Sequence, residues 1–190
     1  MNDDVTIEDW ADITILTAPR NEHMRTEARR YGGHWNNDLK ALVFDRRDHD
    51  KVVRLAAKYY GYAPDNHEKV TIRINAYDYL APNGDRSIQI AGREIVRRQN
   101  RDEEVRLAPN VVIHEGDFPH RCGSINNPRI TDGTDPSPIL EIRDLPVAAL
   151  DKIDKGYTLV EGDPLKAWKD EKTRLEARLR VVDQHLKEGR

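Results

Sequence analysis

The fold of this chain is decided by residues 28–44, which are ARRYGGHWNNDLKALVF. Adjacent glycines favour the end of a helix and a tight turn, so Gly32 and Gly33 mark a helix stop. The segments on either side of the polar triplet at 36–38 have the composition of two short strands joined by a turn. This stretch therefore predicts a helix followed by a pair of strands.

The flanking sequence extends this unit to residues 13–63. Upstream, residues 13–18 alternate as a strand does, and Asn21 is a suitable N-cap for the first helix. Downstream, Asp48 can cap a second helix that ends at Gly61. Each helix has one apolar face, formed by Met24, Ala28 and Tyr31 and by Val52, Leu55, Ala56 and Tyr59. The predicted order is β-α-β-β-α, with two helices covering one face of a small sheet.

A second, mostly β domain is predicted over residues 68–150. Residues 70–74 alternate strictly between apolar and polar side chains, which is typical of a strand. Further short strands are predicted at 86–95, 105–107, 111–113 and 139–142. The turn signal Asn83-Gly84 predicts a hairpin between residues 77–80 and 87–90. The segment 114–138 is rich in Gly, Pro, Asn and Asp, and we expect a long loop that is either functional or mobile.

The clearest helix of the sequence spans residues 163–189. Asp163 and Pro164 supply a cap and a first-turn proline, and apolar side chains then recur at heptad spacing. This pattern fits an amphipathic helix lying on its own domain, and it also fits a short self-associating coiled coil. In the second case the dimerisation residues are Leu165, Trp168, Leu175, Leu179, Val182 and Leu186.

Together these patterns predict an α+β protein with a long C-terminal amphipathic helix. The expected divisions are an acidic N-terminal segment at 1–11, the α+β module at 12–63, the β-rich domain at 68–150 and the helix at 163–189. Charged residues make up 34% of the chain and hydrophobic residues 37%, so we expect a small core and much solvated surface.

Composition also excludes several classes of protein. The longest uninterrupted apolar stretch has six residues, at 145–150, whereas a membrane-spanning helix needs roughly 20. The first ten residues, MNDDVTIEDW, are acidic and lack the apolar region of a secretory signal. A single cysteine, Cys122, cannot form an internal disulfide, which fits a reducing compartment. We therefore expect a cytoplasmic protein without a membrane partner.

Charge is distributed unevenly along the chain. Residues 1–12 contain five Asp or Glu and no Lys or Arg, whereas residues 20–62 contain ten Lys or Arg against six Asp or Glu. This asymmetry indicates an anionic partner for the module, and nucleic-acid affinity comes largely from phosphate contacts. The candidate contact residues are Arg25, Arg29, Arg30, Lys40, Arg47, Lys51, Arg54 and Lys58. The alternative is a solvated helix face that neighbouring carboxylates partly neutralise.

The run from Ala28 to Asn36, followed by KALVF at residues 40–44, resembles the HARP-like module. In that family a helix leads to a Gly-Gly-Arg-Trp-like turn, a Lys-Ala-Trp-Val-Phe-like strand and a second helix. The resemblance covers residues 12–62 and implies a module that accompanies DNA-remodelling and replication proteins and is implicated in DNA binding. This sequence departs from the pattern at His34, where the family often has Arg, and at Leu42, where it often has Trp.

Aromatic and metal-ligating residues form further candidate sites. Trp35 and Phe44 are expected in the core, although an exposed ring would suit stacking on single-stranded nucleic acid. The spacing of His114, His120 and Cys122 resembles part of a zinc site, but a fourth ligand is missing. A cysteine nucleophile would need an adjacent base and an orienting group. We predict no catalytic residue, no metal site and no cofactor.

The sequence thus favours a non-enzymatic accessory protein. Its HARP-like module is expected to contact nucleic acid or a nucleic-acid-handling protein complex. The alternative is a phage-type anti-defence inhibitor or adaptor that binds a partner protein through its acidic N-terminal segment. A small module without a catalytic signature is similar in character to bacteriophage and mobile-element accessory proteins.

Overall fold

The computed structural model describes residues 5–65, 68–80, 86–160, 168, 171–176 and 178–179. The protein combines helices with antiparallel sheets, so the α+β class is confirmed. The N-terminal sheet has the strand order β1-β2-β4-β3. Its strands are β1 (Thr6–Trp10), β2 (Ile13–Thr17), β3 (His34–Asn36) and β4 (Ala41–Asp45). Two helices, α1 (Glu22–Arg30) and α2 (His49–Tyr60), pack on the face that carries Leu16, Leu42 and Phe44.

Local sequence explains where α1 begins and where α2 ends. The predicted cap at Asp48 does not form, because the Asp48 side chain makes no hydrogen bond to the start of α2 and pairs with Lys51 instead. The Asn21 side chain accepts a hydrogen bond from the Met24 amide at 3.0 Å and so caps α1. Gly61 follows α2 in the left-handed conformation, at φ 65°, which glycine adopts without steric cost. Gly33 lets α1 approach the sheet closely, because a Cβ there would overlap the Phe44 ring.

The acidic N-terminal segment differs from the expectation, because residues 6–10 form the edge strand β1. Val5 and Ile7 pack into the core of the module, and this burial stabilises the pairing of β1 with β2. The Asp9 carboxylate accepts a hydrogen bond from the Thr14 hydroxyl at 2.7 Å and pairs with Arg46 and His49. Acidic residues therefore do not keep this strand out of the sheet.

The second half of the chain consists of two antiparallel sheets around one core. One sheet has the order β11-β5-β10-β9, and the other has the order β6-β7-β8. The strands of the first are β5 (Lys69–Asn75), β9 (Val111–Glu115), β10 (Ile139–Pro146) and β11 (Thr158–Leu159). Those of the second are β6 (Ser87–Ile90), β7 (Arg93–Arg98) and β8 (Val105–Leu107).

The hairpin predicted at Asn83-Gly84 is replaced by a different one. Residues 76–79 form a short 3-10 helix rather than a strand, and Asn83 and Gly84 lie outside the described residues. The turn instead divides the predicted strand 86–95, joining β6 to β7 at Ala91 and Gly92, whose φ angles are 46° and 76°. Two consecutive positive φ angles suit the twist of a two-residue hairpin, although alanine is an uncommon residue for that conformation.

The C-terminal end of α2 packs against the β-rich half. The Arg93 guanidinium donates to the Tyr60 carbonyl at 3.0 Å, and the Tyr60 hydroxyl donates to the Pro19 carbonyl at 2.7 Å. Gly61 lies against the backbone of Ala148 and Ala149 in the 3-10 helix at Val147–Lys152. The two halves of the chain therefore share a packed junction.

Part of the predicted C-terminal helix lies within the described residues. Residues 168, 171–176 and 178–179 are helical, whereas Leu165, Val182 and Leu186 lie outside the described residues. The side chains of Trp168, Leu175 and Leu179 are exposed. These three positions therefore do not pack on the rest of this chain, and self-association stays a prediction. Within the described part of the chain, no helix is long and apolar enough to cross a bilayer.

Candidate nucleic-acid interface

All eight cationic residues predicted to bind nucleic acid lie in the N-terminal module. Arg25, Arg29 and Arg30 belong to α1, and Lys40 belongs to the turn between β3 and β4. Arg47 precedes α2, and Lys51, Arg54 and Lys58 lie on α2 itself. Seven are exposed and Arg25 is half-buried. Their neighbours divide them into an α2 group and an α1 group.

The α2 group, which comprises Arg47, Lys51, Arg54 and Lys58, is largely bonded to acceptors nearby. Arg47 forms two hydrogen bonds to the Asp45 carboxylate, at 2.9 and 2.7 Å, and these bonds lower the pKa of Asp45 to about 2. Lys51 pairs with Asp48 at 2.6 Å, and Arg54 donates to the Asp50 carbonyl. A phosphate binding here would compete with these acceptors, so the four cations contribute less to nucleic-acid affinity than their number implies.

Lys58 binds to a carboxylate that also joins the two helices. Glu27 of α1 accepts hydrogen bonds from Lys58 and from the Tyr59 hydroxyl, both at 2.6 Å. The pKa of Glu27 is lowered most by the hydrogen bond from Lys58 and second by the hydrogen bond from Tyr59. Glu27 and Lys58 lie in a cleft of about 370 Å³ between the helices, lined also by Lys51 and Arg54. Lys58 therefore helps to hold α2 against α1.

The α1 group, which comprises Arg25, Arg29, Arg30 and Lys40, has a different environment. The Arg25 guanidinium lies 4.7 Å from the centroid of the Trp35 ring, which is a cation–π contact. Within the described residues, the side chains of Arg29, Arg30 and Lys40 form no ion pair or hydrogen bond. These side chains are therefore free to contact an anion, although Arg29 also attracts the Glu22 carboxylate through space, which helps to lower the pKa of Glu22 after the larger effect of Arg20.

Trp35 is not a core residue, which corrects the sequence-based expectation. Its relative exposure is 44%, whereas Phe44 is 1% exposed and lies at the centre of the core as expected. Trp35 is on β3, a three-residue strand at the edge of the sheet, and α1 places Arg25 rather than an apolar side chain above it. The indole Nε1 donates to Asn37 at 3.0 Å, which fixes the ring at the surface.

The structure gives no support to the other candidate sites. Among the described residues, no three His, Cys, Asp or Glu side chains are arranged to hold a metal ion. Cys122 is buried, and this burial raises the pKa of its thiol, which disfavours the nucleophilic thiolate. The exposed His120 has Glu104 as its neighbour, at 3.5 Å.

Comparisons with known proteins identify no relative: no family model matches this chain, and neither a curated protein nor a solved structure matches it significantly. The assignment of a function therefore depends on the residues themselves.

Proposed function

We propose that this protein is a non-enzymatic accessory protein whose N-terminal module contacts nucleic acid through Trp35 and the α1 group. The observation that carries the proposal is the exposed indole beneath Arg25, in a module whose Arg29, Arg30 and Lys40 side chains form no ion pair within the described residues. An aromatic ring and unpaired cations are what a single strand needs for base stacking and phosphate contact. The resemblance of residues 12–62 to the HARP-like module supports the same function.

Replacing Trp35 with alanine tests the proposal against a matched control. Trp35→Ala should weaken binding to a short single-stranded DNA by about 5- to 150-fold, since base stacking on an aromatic ring contributes roughly 1–3 kcal/mol. Trp10 is the natural control, because it is 52% exposed on the opposite edge strand of the same sheet. Trp10→Ala should leave the affinity unchanged. Both variants are measured by fluorescence anisotropy at two salt concentrations, since phosphate binding weakens steeply with salt.

Two outcomes contradict nucleic-acid binding at this surface. One is the absence of binding by the wild-type protein at low salt. The other is an equal loss of affinity in Trp35→Ala and Trp10→Ala, which would show no preference for the β3 edge. Duplex DNA and RNA of the same length are measured alongside to define the preferred nucleic acid.

The adaptor function is the second candidate, and one observation favours it. The edge strand β1 carries the exposed side chains of Glu8 and Trp10, and its outer edge is not paired with any described strand. An acidic strand edge with an aromatic side chain suits a basic, extended segment of a partner protein. Under this function Trp10→Ala, rather than Trp35→Ala, loses the partner.

We also expect the chain to form a homodimer through residues 163–189. The exposed side chains of Trp168, Leu175 and Leu179 recur at the spacing of a coiled-coil seam. Light scattering at several concentrations should give a mass near twice 21.9 kDa. The double variant Leu175→Glu, Leu179→Glu should be monomeric at every concentration. A wild-type mass that stays at the monomer value contradicts the dimer.

A further inference from the structure

The Trp35 ring lies in the middle of a short edge strand that runs back along α1. Its strand, β3, follows α1 after a reversal at Gly32 and Gly33 and pairs only with β4 among the described strands. Because Arg25 contacts the Trp35 ring from within the helix, β3 returns beneath α1 rather than leading away from it. One end of β3 therefore lies near the C-terminal end of α1, and the other end leads into the turn at residues 37–40.

Cations lie on both sides of the ring along this strand. Arg29 follows Arg25 by four residues, so the two share one face of α1, and Arg29 is about 6 Å further towards the end of the helix. Lys40 lies at the opposite end of β3, as the last residue before β4. Arg29 and Lys40 are exposed and form no ion pair or hydrogen bond within the described residues. An anionic chain lying along β3 would therefore meet a cation on each side of Trp35.

Two carboxylates oppose an anion at this surface, Glu22 on α1 and Asp38 in the turn. Glu22 is paired with Arg20 at 2.8 Å, which partly neutralises its charge. Asp38 is exposed, has no ion pair in the part of the chain that the structure describes, and lies two residues before Lys40. The three cations around the ring outnumber this one free carboxylate, so the surface still attracts an anion.

The length of β3 limits how much of a nucleic-acid chain can lie on it. Its three residues, His34–Asn36, span about 10 Å of extended strand. A stacked nucleic-acid strand has one phosphate per ~3.4 Å along its axis, so this span matches about three nucleotides. A base within a duplex must first leave its stack, at a cost of a few kcal/mol, before it can reach an aromatic side chain. A base in a single strand does not meet this cost to the same extent.

We infer that the Trp35 surface binds a single-stranded segment of about three nucleotides, with the middle base on the ring and its two flanking phosphates on Arg29 and Lys40. These contacts rest on the proposed function, and they assign a ligand class and individual roles within the same site. Arg30 projects from α1 about 100° around the helix from Arg29, so it contacts only the phosphates of a longer strand.

Oligothymidylates of different length test the size of the site. The trinucleotide TpTpT is the smallest of them that has one base between two phosphates. Titrated into the isotope-labelled full chain, it should shift the indole N–H signal of Trp35 in a saturable way. TpT, which has one phosphate less, should bind about two- to fivefold more weakly, since an exposed ion pair contributes little. Equal affinities for TpT and TpTpT overturn the inference.

Three matched substitutions test the individual contacts. Arg29→Gln and Lys40→Gln should each weaken the binding of TpTpT about two- to fivefold. Arg30→Gln is the control, because Arg30 is adjacent to Arg29 and equally unpaired. It should leave the affinity for TpTpT unchanged and weaken only the binding of an octathymidylate. Equal effects of Arg29→Gln and Arg30→Gln on TpTpT overturn the assigned contacts.

A duplex separates base stacking from phosphate contact. Trp35→Ala should weaken the binding of the octathymidylate but not that of a duplex of the same length, whose bases remain stacked. Equal losses for both probes would overturn the assignment of a single strand. A chain that binds the octathymidylate through Trp35 but does not bind TpTpT would overturn the three-nucleotide site and leave the proposed function intact. Absence of binding to every probe at low salt would contradict both.

Discussion

Replacing Arg98 with methionine is expected to lower the free energy of unfolding by about 3 kcal/mol. Arg98 is fully buried at the end of β7, and its guanidinium donates to the carbonyls of Glu103, Pro119 and His120. Hydrogen bonds to a charged group stabilise by roughly 1.5–3 kcal/mol each. The substitution also removes the cost of burying the guanidinium charge away from water, and this gain offsets part of the lost hydrogen-bond energy. The remainder is the cost of three carbonyls left without this donor.

The adjacent Arg97 provides the control for this substitution. Its side chain is partly exposed and pairs with Glu94 at the surface, so Arg97→Met should cost less than about 1 kcal/mol. Urea unfolding of both variants gives the two free energies. Hydrogen exchange should also become faster in residues 117–123 of Arg98→Met alone, since Arg98 attaches this part of the long loop to β7. Equal free energies for the two variants would contradict this role of Arg98.

Replacing Gly61 with alanine is expected to destabilise the protein by about 3 kcal/mol. Alanine in the left-handed conformation accounts for roughly 1–2 kcal/mol of this loss. The rest comes from steric overlap, because a Cβ on Gly61 would overlap the Ala148 carbonyl and lie 2.5 Å from the Ala149 Cα. Both are backbone atoms that cannot rotate away, so α2 and the 3-10 helix at Val147–Lys152 must separate.

Gly32 is a matched control for the conformational part of this cost. It follows α1 at a φ of 75°, and a Cβ there would have no neighbour within 4 Å. Gly32→Ala should therefore cost only about 1 kcal/mol. The difference between the free energies of unfolding lost in the two variants measures the packing of the module against the β-rich half. If both variants lose the same free energy in urea unfolding, this junction does not contribute to stability.

Local sequence patterns predicted much of the module. Met24 and Ala28 share a helix face and are both buried against the sheet, and so are Val52, Leu55 and Ala56. The cap at Asn21 and the stop at Gly61 also lie where local preferences place them. The alternation at residues 70–74 produced a strand for the same reason. Each of these features depends on residues a few positions apart in the chain, and such spacings are visible in the sequence.

The candidate site was predicted only in part. The sequence identified the cations of α1, but it placed Trp35 in the core and made no distinction between paired and unpaired cations. Trp35 is exposed because β3 lies at the sheet edge, and Lys58 is paired because α2 packs next to Glu27. Neither fact follows from a local pattern, because each depends on residues that fold together from distant positions.

The sequence alone determined the α+β class, the helix faces, the cap of α1 at Asn21, the stop of α2 at Gly61 and the excess of cations in the module. The tertiary structure decided which cations are neutralised, that Arg98 lies fully buried in the core, and that Trp35 lies exposed at the edge of the sheet. Periodicity and capping are short-range properties of the chain, since they act within a few residues. Burial, ion pairing and cavities arise only when distant segments pack, because they depend on which side chains become neighbours in space.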